Sequence, residues 1–279
     1  MLLNISGKID PLLINVLSTI STIAKKLDIP FFLVGAMARD IIYEHCYEIK
    51  PPRATKDIDI GIRIPDLSKF DLLAGTLTSS CGFDKTNLIY RYKRNEIILD
   101  IIPFGPIANA DMKIEYHPKD NIFLSVLGFE EAYRYSPAIR INDNPELDIK
   151  IPTIPGLFVM KLISWEEKYP DRKKDAQDML FMLKNYEFTD TDRLYESEET
   201  LLKEEKFDVH KANIRLLGRD IVKMSNKKTI TKVRQILTNE TSENSYKLRS
   251  DMQEFLYKDN EEILVFLKKL KQGLDDSVI

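Results

Sequence analysis

The sequence predicts an α+β fold, in which a small mixed sheet with helices is followed by an all-helical second half. Before residue 150, short apolar strand patterns alternate with helical patterns in the order strand, helix, strand, helix, strand. After it, helical periodicity dominates, and most of the 13 prolines lie at or before Pro155. The turn-like segment 151–156 therefore divides the chain into a sheet-containing domain, 1–152, and a helical domain, 153–279.

The length and composition are those of a globular protein with one large or two ordinary domains. The chain has 279 residues, of which 43% are hydrophobic and 30% charged. Its 41 basic and 44 acidic residues give a net charge of −3, which excludes a positive field over the whole surface. The two cysteines form no zinc motif, no apolar run is long enough for a membrane span, and no signal peptide is recognisable. We therefore expect a cytoplasmic protein that does not enter a membrane.

Three helices and three strands are predicted in the first half, each from its own local pattern. Asp10 and Asp66 stand where helix N-caps are expected, and Gly35 and Pro103 stand where the first and last strands should end. Apolar residues that are continuous or alternate predict the strands, and apolar positions spaced three and four apart predict the helices. The helices are predicted at 10–27, 36–43 and 66–80, and the strands at 31–34, 57–63 and 97–102.

The second half contains seven successive helical patterns and no strand pattern. They predict helices at about 154–169, 172–186, 190–206, 208–224, 228–239, 243–257 and 260–272.

Charge is unevenly distributed in this helical half. Residues 187–206 hold eight acids, whereas residues 211–234 hold eight bases and one acid. Bases that recur every four residues form a stripe on one helix face. The stripe predicts either a solvated face that pairs with the preceding acidic helix or a patch for the phosphates of an RNA. Its members are Lys211, Arg215, Arg219 and Lys223.

Three aspartates form the most informative pattern in the chain. In a strand, residues i and i+2 point to the same face, so Asp57 and Asp59 present two adjacent carboxylates. Such carboxylates repel each other unless a cation lies between them, and their hard oxygens suit Mg²⁺. Asp100 lies among apolar residues of another predicted strand. If the two strands are neighbours, Asp57, Asp59 and Asp100 form a cluster that can hold two metal ions.

A glycine turn precedes these aspartates. Gly35 ends an apolar strand and a helix follows, and the N-terminal amides of a helix favour phosphate. Arg39, about one turn into the helix, could reach a phosphate or pair with Asp40 or with the acidic strand. Taken singly, a glycine turn or an Asp-x-Asp pair is common in structures without catalytic function, so the prediction depends on their order along the chain.

That order resembles the DNA polymerase β-like nucleotidyltransferase superfamily. Its members have a strand, a Gly-Gly or Gly-Ser turn, a helix, an Asp-x-Asp strand and a third carboxylate on a later strand. The resemblance covers about residues 30–105. It implies a catalytic core that binds an NTP with Mg²⁺ or Mn²⁺. Ala36 departs from the pattern, because it brings no hydroxyl to the triphosphate.

A narrower group, the AbiEii-type nucleotidyltransferases, is also similar to this chain. Members of that group are toxins of type IV toxin–antitoxin and abortive-infection systems. The similarity lies in the segments 53–59, 99–105 and 155–178. It implies that Asp57 and Asp59 bind the metal, and that Asp100 completes the site or activates the acceptor.

The same resemblance assigns roles to residues outside the carboxylate cluster. Lys161 would contact the phosphates of the nucleotide, and Asp175 and Asp178 would order the second half of the site. The glycine turn, with Gly35, Ala36 and Arg39, would bind the nucleotide as well. A toxin role would also imply a cognate antitoxin as partner.

Segment 32–40 is similar, too, to the opening of bacterial tRNA CCA-adding enzymes and poly(A) polymerases. The segment 91–96 does not match the arginine motif that follows in those enzymes. The similarity therefore implies a shared catalytic core without membership of that group.

We expect a Mg²⁺-dependent nucleotidyltransferase that transfers NMP from an NTP to an acceptor hydroxyl, with RNA or tRNA as the acceptor. Two alternatives stay open. The acceptor could be a small molecule such as an antibiotic, or a protein side chain. The chain could also be an inactive nucleotide-binding module.

Overall fold

The computed structural model describes residues 3–115, 123–190, 192–253 and 260–276. The chain forms two compact units, Met1–Thr153, here called the sheet unit, and Ile154–Ile279, the helical unit. This division lies one residue after the predicted boundary. Among the described residues, no helix is both long enough and apolar enough to cross a membrane.

The sheet unit contains four helices and ten strands within its described residues. The helices are α1 (Pro11–Leu27), α2 (Gly35–Asp40), α3 (Leu67–Ser80) and α4 (Phe129–Arg134). The strands are β1 (Leu3–Asn4), β2 (Phe31–Val34), β3 (Ile58–Arg63), β4 (Asp84–Lys85), β5 (Arg91–Arg94), β6 (Ile97–Phe104), β7 (Lys113–Glu115), β8 (Phe123–Ser125), β9 (Ala138–Asp143) and β10 (Glu146–Lys150).

A five-stranded mixed sheet with the order β2-β3-β6-β5-β4 organises this unit. β3 runs parallel to β6, whereas β2 and β5 pair antiparallel with β3 and β6. Two smaller sheets, β1-β9-β10 and β7-β8, accompany it. The three strands predicted from the sequence are β2, β3 and β6, which lie side by side in this sheet with β2 at its edge. The predicted α+β fold, with a mixed sheet followed by helices, is confirmed.

The central strand β3 forms because its apolar residues alternate with polar ones. Ile58, Ile60 and Ile62 are completely or almost completely buried, and complete burial of such a side chain contributes about 1.5–3 kcal/mol. Asp59 stands between them and is only half-buried. The hydrophobic face of the strand therefore fixes the face on which Asp59 lies.

The prediction that Pro103 ends its strand was wrong. Pro103 lies inside β6, opposite Ile62 of β3. The backbone N–H of Ile101 donates to Tyr90 on the β5 side of the strand, and residue 103 faces the same way. β5 pairs with β6 only as far as Asp100, so the missing N–H of Pro103 removes no hydrogen bond between strands.

The helix predicted at 36–43 is two segments. α2 ends at Asp40 and continues as a π-helical turn, Ile41–Cys46. The N-caps Asp10 and Asp66 are as expected, because each side chain accepts a hydrogen bond from the backbone N–H two residues further on.

The helical unit contains helices only, among the residues described there. They are α5 (Ile154–Glu167), α6 (Lys173–Asn185), a 3₁₀ turn (Tyr186–Phe188), α7 (Arg193–Glu196), α8 (Glu199–Glu204), α9 (Val209–Met224), α10 (Lys227–Glu240), α11 (Lys247–Gln253) and α12 (Asn260–Asp275). The C-terminal part of the helix predicted at 243–257 lies outside the described residues.

The single helix predicted at 190–206 was wrong, because α7 and α8 are separate short helices. The chain breaks at Ser197 and Glu198, within a run of acidic residues. Like charges in successive turns disfavour a continuous helix. At the break, the Glu198 carboxylate reaches Nη1 of Arg219 on α9 at 2.9 Å.

Close approach of α9 and α12 depends on two glycines. A Cβ atom at Gly218 would lie 2.3 Å from the carbonyl oxygen of Leu270, and one at Gly273 would lie 1.9 Å from that of Arg215. The two helices therefore touch backbone to backbone, which brings the end of α12 next to the basic residues of α9.

Candidate functional site

Two of the three predicted aspartates lie side by side on neighbouring strands. Asp59 of β3 is in register with Asp100 of β6. Residues in register lie side by side on one face of a sheet. Asp57 is exposed and stands one residue before β3, while Asp100 is buried. The sheet thus places Asp59 and Asp100 as neighbours, which is the arrangement that the sequence predicts if their strands pair.

The carboxylate of Asp100 is held by Arg91. Nε of Arg91 donates to Oδ1 of Asp100 and Nη2 donates to Oδ2, both at 2.7 Å. The hydrogen bond to Asp100 is the main cause that raises the pKa of Arg91, and the charges of Asp100 and Asp57 contribute. The fork-shaped guanidinium matches a carboxylate, so both oxygens of Asp100 are engaged.

The sequence analysis did not identify Arg91, although a signal for it exists. Asn95 and Glu96 form a two-residue turn between β5 and β6, and Asn95 has a positive φ of 55°. A hairpin loop of two residues sets the register of its strands. Counting back from that turn places Arg91 opposite Asp100, as the structure does.

Gly35 makes the turn at the start of α2, against the side chain of Asp59. Its φ is +70°, a conformation that L side chains rarely adopt. A Cβ atom at this position would lie 2.1 Å from Oδ2 of Asp59. Two independent constraints therefore require glycine here, and the turn borders directly on the candidate site. Ala36 follows within α2.

Arg39 is completely buried and pairs with Asp40. Its Nε donates to Oδ1 of Asp40 at 2.8 Å, and its Nη2 donates to the carbonyl oxygen of Arg53 at 2.8 Å. Asp40 is one of the partners considered from the sequence. Arg39 thereby ties α2 to the segment that leads into β3, and a contact with phosphate stays a prediction.

In the helical unit, Lys161 forms a buried cluster with two aspartates. Its Nζ lies 3.0 Å from Oδ1 of Asp175 and 2.7 Å from Oδ2 of Asp178. Burial by itself lowers the pKa of Lys161, but the charges of Asp175 and Asp178 keep that pKa above its ordinary value. Lys161 is 5% exposed and Asp178 is 0% exposed. The structure brings the three residues together, which the sequence analysis did not predict, and the roles of all three at a nucleotide stay predictions.

The basic stripe of α9 is paired with acidic residues. Arg215 is buried and contacts Glu204, Glu205 and Asp276, at 2.8, 3.0 and 2.7 Å. Glu204 and Glu205 belong to the preceding acidic segment, so the pairing of the first interpretation is present, but Arg215 is buried and is not part of a solvated face.

The other three members of the stripe also have acidic neighbours. Arg219 pairs with Glu198 and Asp276, Lys211 with Asp208, and Lys223 with Glu198 and Asp220. The positive charge of the stripe is therefore largely compensated within the helical unit. RNA binding by these four residues stays a prediction that this pairing does not support.

The donor set fits a magnesium ion only in part. Asp57 and Asp59 supply hard carboxylate oxygens, and Mg²⁺ is commonly held by one or two carboxylates together with substrate phosphates. Asp100 accepts two hydrogen bonds from Arg91, so only its remaining lone pairs could be offered to a cation. Within the described ranges, no group of three or more His, Cys, Asp or Glu side chains is arranged to hold a metal ion.

No protein-family model matches the chain, and neither does any curated protein. Among solved structures, the antibiotic-resistance factor ANT(2'')-Ia is 13% identical, with 71% of this chain and 98% of that chain covered and a TM-score of 0.38. An antigenic nucleotidyltransferase-like protein from Paracoccidioides brasiliensis is 15% identical, with 71% and 90% covered and a TM-score of 0.38. The Thermotoga maritima CCA-adding enzyme complexed with tRNA is 14% identical, with 97% and 82% covered and a TM-score of 0.27. These similarities are distant.

Proposed function

We propose that the chain is a Mg²⁺-dependent nucleotidyltransferase, which transfers NMP from an NTP to an acceptor hydroxyl and releases pyrophosphate. One observation carries the proposal. Asp59 and Asp100 are in register on adjacent strands, and the Gly35 turn lies directly against Asp59. The carboxylates can bind a cation, and the backbone of the glycine turn beside them can bind the phosphates that accompany the cation.

Each residue of this site then has a defined task. Asp57 and Asp59 would hold Mg²⁺, which when bound neutralises phosphate charge and makes the attacking hydroxyl more acidic. Gly35 and Ala36 offer backbone to the triphosphate, and Asp100 takes up the proton of the acceptor hydroxyl as that oxygen attacks. The acceptor oxygen forms a bond to the α-phosphorus while the bond to the β-phosphate oxygen breaks. Positioning and charge compensation supply the rate enhancement.

RNA, and tRNA in particular, is the acceptor that the resemblance to AbiEii-type proteins implies. That resemblance also underlies the proposal of a toxin with a cognate antitoxin. The basic stripe of α9 adds no support for RNA, because its members pair with acidic residues. A small molecule such as an antibiotic is a second candidate acceptor, and a protein side chain is a third.

Transfer of label tests the proposal and identifies the acceptor. The purified full chain is incubated with each α-³²P-labelled NTP, Mg²⁺, total RNA and a cell extract, and separately with a panel of antibiotics. We expect label on one acceptor class, none after Asp57→Ala/Asp59→Ala, and unchanged labelling after Asp71→Asn, which alters an exposed carboxylate of α3. If NTP binds but no acceptor is labelled, the chain is a nucleotide-binding module and the proposal is wrong.

A further inference from the structure

A basic and aromatic surface lies on the helical unit, where α5 joins α6 and where α10 joins α11. The two segments, 167–174 and 242–249, together hold six bases and three acids. Tyr169 and Tyr246 belong to them and are 41% and 68% exposed. Bases beside exposed aromatic rings are typical of surfaces that bind single-stranded nucleic acid. We call the exposed residues of these two segments the tyrosine surface.

Contacts around a buried carboxylate hold the two segments together. Asp251 of α11 accepts a hydrogen bond from Nε1 of Trp165 at 2.8 Å, and Nζ of Lys173 lies 4.0 Å from its other oxygen. The ring of Tyr169 meets that of Trp165 edge-on, with 5.7 Å between the ring centres. Nζ of Lys247 lies 5.0 Å from the centre of the Tyr169 ring. The bases and the rings of the two segments therefore form one surface.

An open cleft of about 520 Å³ adjoins this surface, between the end of α10 and the start of α11. Tyr246 and Lys247 line it, together with Asn239 and Asn244. Amide side chains both donate and accept hydrogen bonds, as the edge of a nucleobase does. Ligand pockets of proteins have about 300–1,000 Å³, so the cleft is large enough for a base.

The loop that borders the cleft is held by Glu240. Its side chain is buried, and Oε2 accepts hydrogen bonds from Oγ of Ser245 and from the backbone N–H of Leu248, both at 2.9 Å. These bonds fix the chain on both sides of Tyr246 and Lys247. The cleft is therefore formed before a ligand arrives, which lowers the entropic cost of binding.

Lys247 differs from the stripe of α9 in its neighbours. Each base of that stripe pairs with a carboxylate, whereas the described residues form no ion pair with Lys247, whose ammonium group lies over a tyrosine ring. Its charge is available to a phosphate, and the excess of bases around it disfavours a cationic small molecule. Phosphate, aromatic and amide recognition together match a nucleic acid strand.

We propose that the tyrosine surface binds a single-stranded segment of the RNA acceptor. Lys247 contacts a phosphate, and one base enters the cleft and stacks on Tyr246. This inference rests on the proposed function, to which it adds the surface that receives the acceptor. RNA binding can be measured without NTP, so the two can fail separately.

Fluorescence anisotropy of labelled RNA tests the proposal with the full chain. The probe is a single strand of about 12 nucleotides of mixed sequence, and its duplex of the same length is measured beside it. The variants are Tyr246→Ala and Lys247→Ala. Their matched controls are Tyr195→Ala on α7 and Lys223→Ala on α9, whose side chains are similarly exposed.

Tyr246→Ala should weaken binding of the single strand by about tenfold, because a base loses its stacking partner. Tyr246→Phe keeps the ring and should bind as the unaltered chain does. Lys247→Ala should reduce the slope of log affinity against log salt by about 0.7, the value for one phosphate contact on a single strand. The two controls should leave affinity and slope unchanged.

Three results would overturn the inference. Tyr246→Ala could lose no more affinity than Tyr195→Ala, Lys247→Ala could keep the salt slope of the unaltered chain, or the duplex could bind more tightly than the single strand. In the first two cases the RNA lies elsewhere on the chain, and a protein partner is the remaining occupant of the surface.

A second measurement uses no variant, so it does not depend on how a substitution affects folding. RNA that contains 4-thiouridine is crosslinked to the unaltered chain by light, and mass spectrometry locates the crosslink. We expect it within residues 242–249, and a crosslink confined to other segments contradicts the proposal. If label is transferred to RNA but neither measurement places the RNA here, the proposed function stands and this inference is wrong. If RNA neither binds nor is labelled, RNA is not the acceptor and the inference is wrong as well.

Discussion

Each unit of the chain holds a cation against carboxylates, but the two clusters differ in burial. In the sheet unit, Arg91 and Asp100 meet at a partly exposed position of the sheet. In the helical unit, Lys161 meets Asp175 and Asp178 with its side chain only 6% exposed. A partly exposed pair can exchange one partner for a ligand, whereas a buried cluster cannot be opened without uncompensated charge. The comparison indicates an adjustable contact in the first unit and a structural one in the second.

The largest expected effect concerns the buried cluster. Lys161→Met should lower the free energy of unfolding by about 3–5 kcal/mol, because two carboxylates lose their buried cation. Chemical denaturation of the full chain measures this, with Lys174→Met, an exposed lysine of α6, as control. If Lys161→Met lowers the free energy of unfolding by less than about 1 kcal/mol and also weakens NTP binding, the buried cluster is not structural. Lys161 is then a ligand-binding residue.

Activity should respond most to the sheet unit. Asp59→Asn should reduce nucleotidyl transfer by at least about 100-fold, because a preorganised charge at the reacting phosphates is removed. Rates of label transfer at saturating NTP, compared with those of Asp71→Asn, provide the measurement. Transfer that persists in Asp59→Asn would place the chemistry elsewhere in the chain.

A smaller change in stability is expected at the adjustable pair. Arg91→Gln should cost about 1–3 kcal/mol, because Asp100 loses a charged hydrogen-bond partner at a site that water can still approach. In the same denaturation experiment, we expect the loss in the free energy of unfolding to lie between the losses for Lys161→Met and Lys93→Gln, which alters an exposed base of the same strand. A cost equal to that of Lys161→Met would show that the two clusters are equally structural.

The smallest effect is expected on the stripe of α9. Lys223→Ala should change the free energy of unfolding by less than about 1 kcal/mol, because its pairs with Glu198 and Asp220 are long and its side chain is 59% exposed. Electrophoretic mobility of RNA in the presence of the full chain should be unchanged as well. Weaker RNA binding by Lys223→Ala would revive the second interpretation of the stripe.

Local patterns predicted the elements that surround the site. The apolar run 31–34 gave a strand with the observed bounds, and the caps Asp10 and Asp66 gave the starts of two long helices. The continuation of β6 through Pro103 could not be predicted in the same way. Whether a proline interrupts a strand depends on whether a neighbour needs its N–H, and sequence-local rules do not contain that information.

The partners of the charged side chains were the feature that the sequence predicted least well. Arg215 and Asp276 are 61 positions apart along the chain, and no local sequence pattern around either residue indicates that the two form an ion pair. Arg39, by contrast, pairs with the adjacent Asp40, which was among the partners considered. Arg91 falls between these cases, because the tight turn at residues 95 and 96 sets the register of its hairpin.

By itself, the sequence determined the α+β fold class and the face of β3 on which Asp59 lies, because alternation of apolar residues acts over a few neighbouring positions. Only the tertiary structure decided that Asp59 and Asp100 are neighbours, that Arg91 holds Asp100, and that the basic stripe of α9 is paired. Those facts depend on which strands and helices lie side by side, and ion pairs form between whichever charged side chains packing brings within reach.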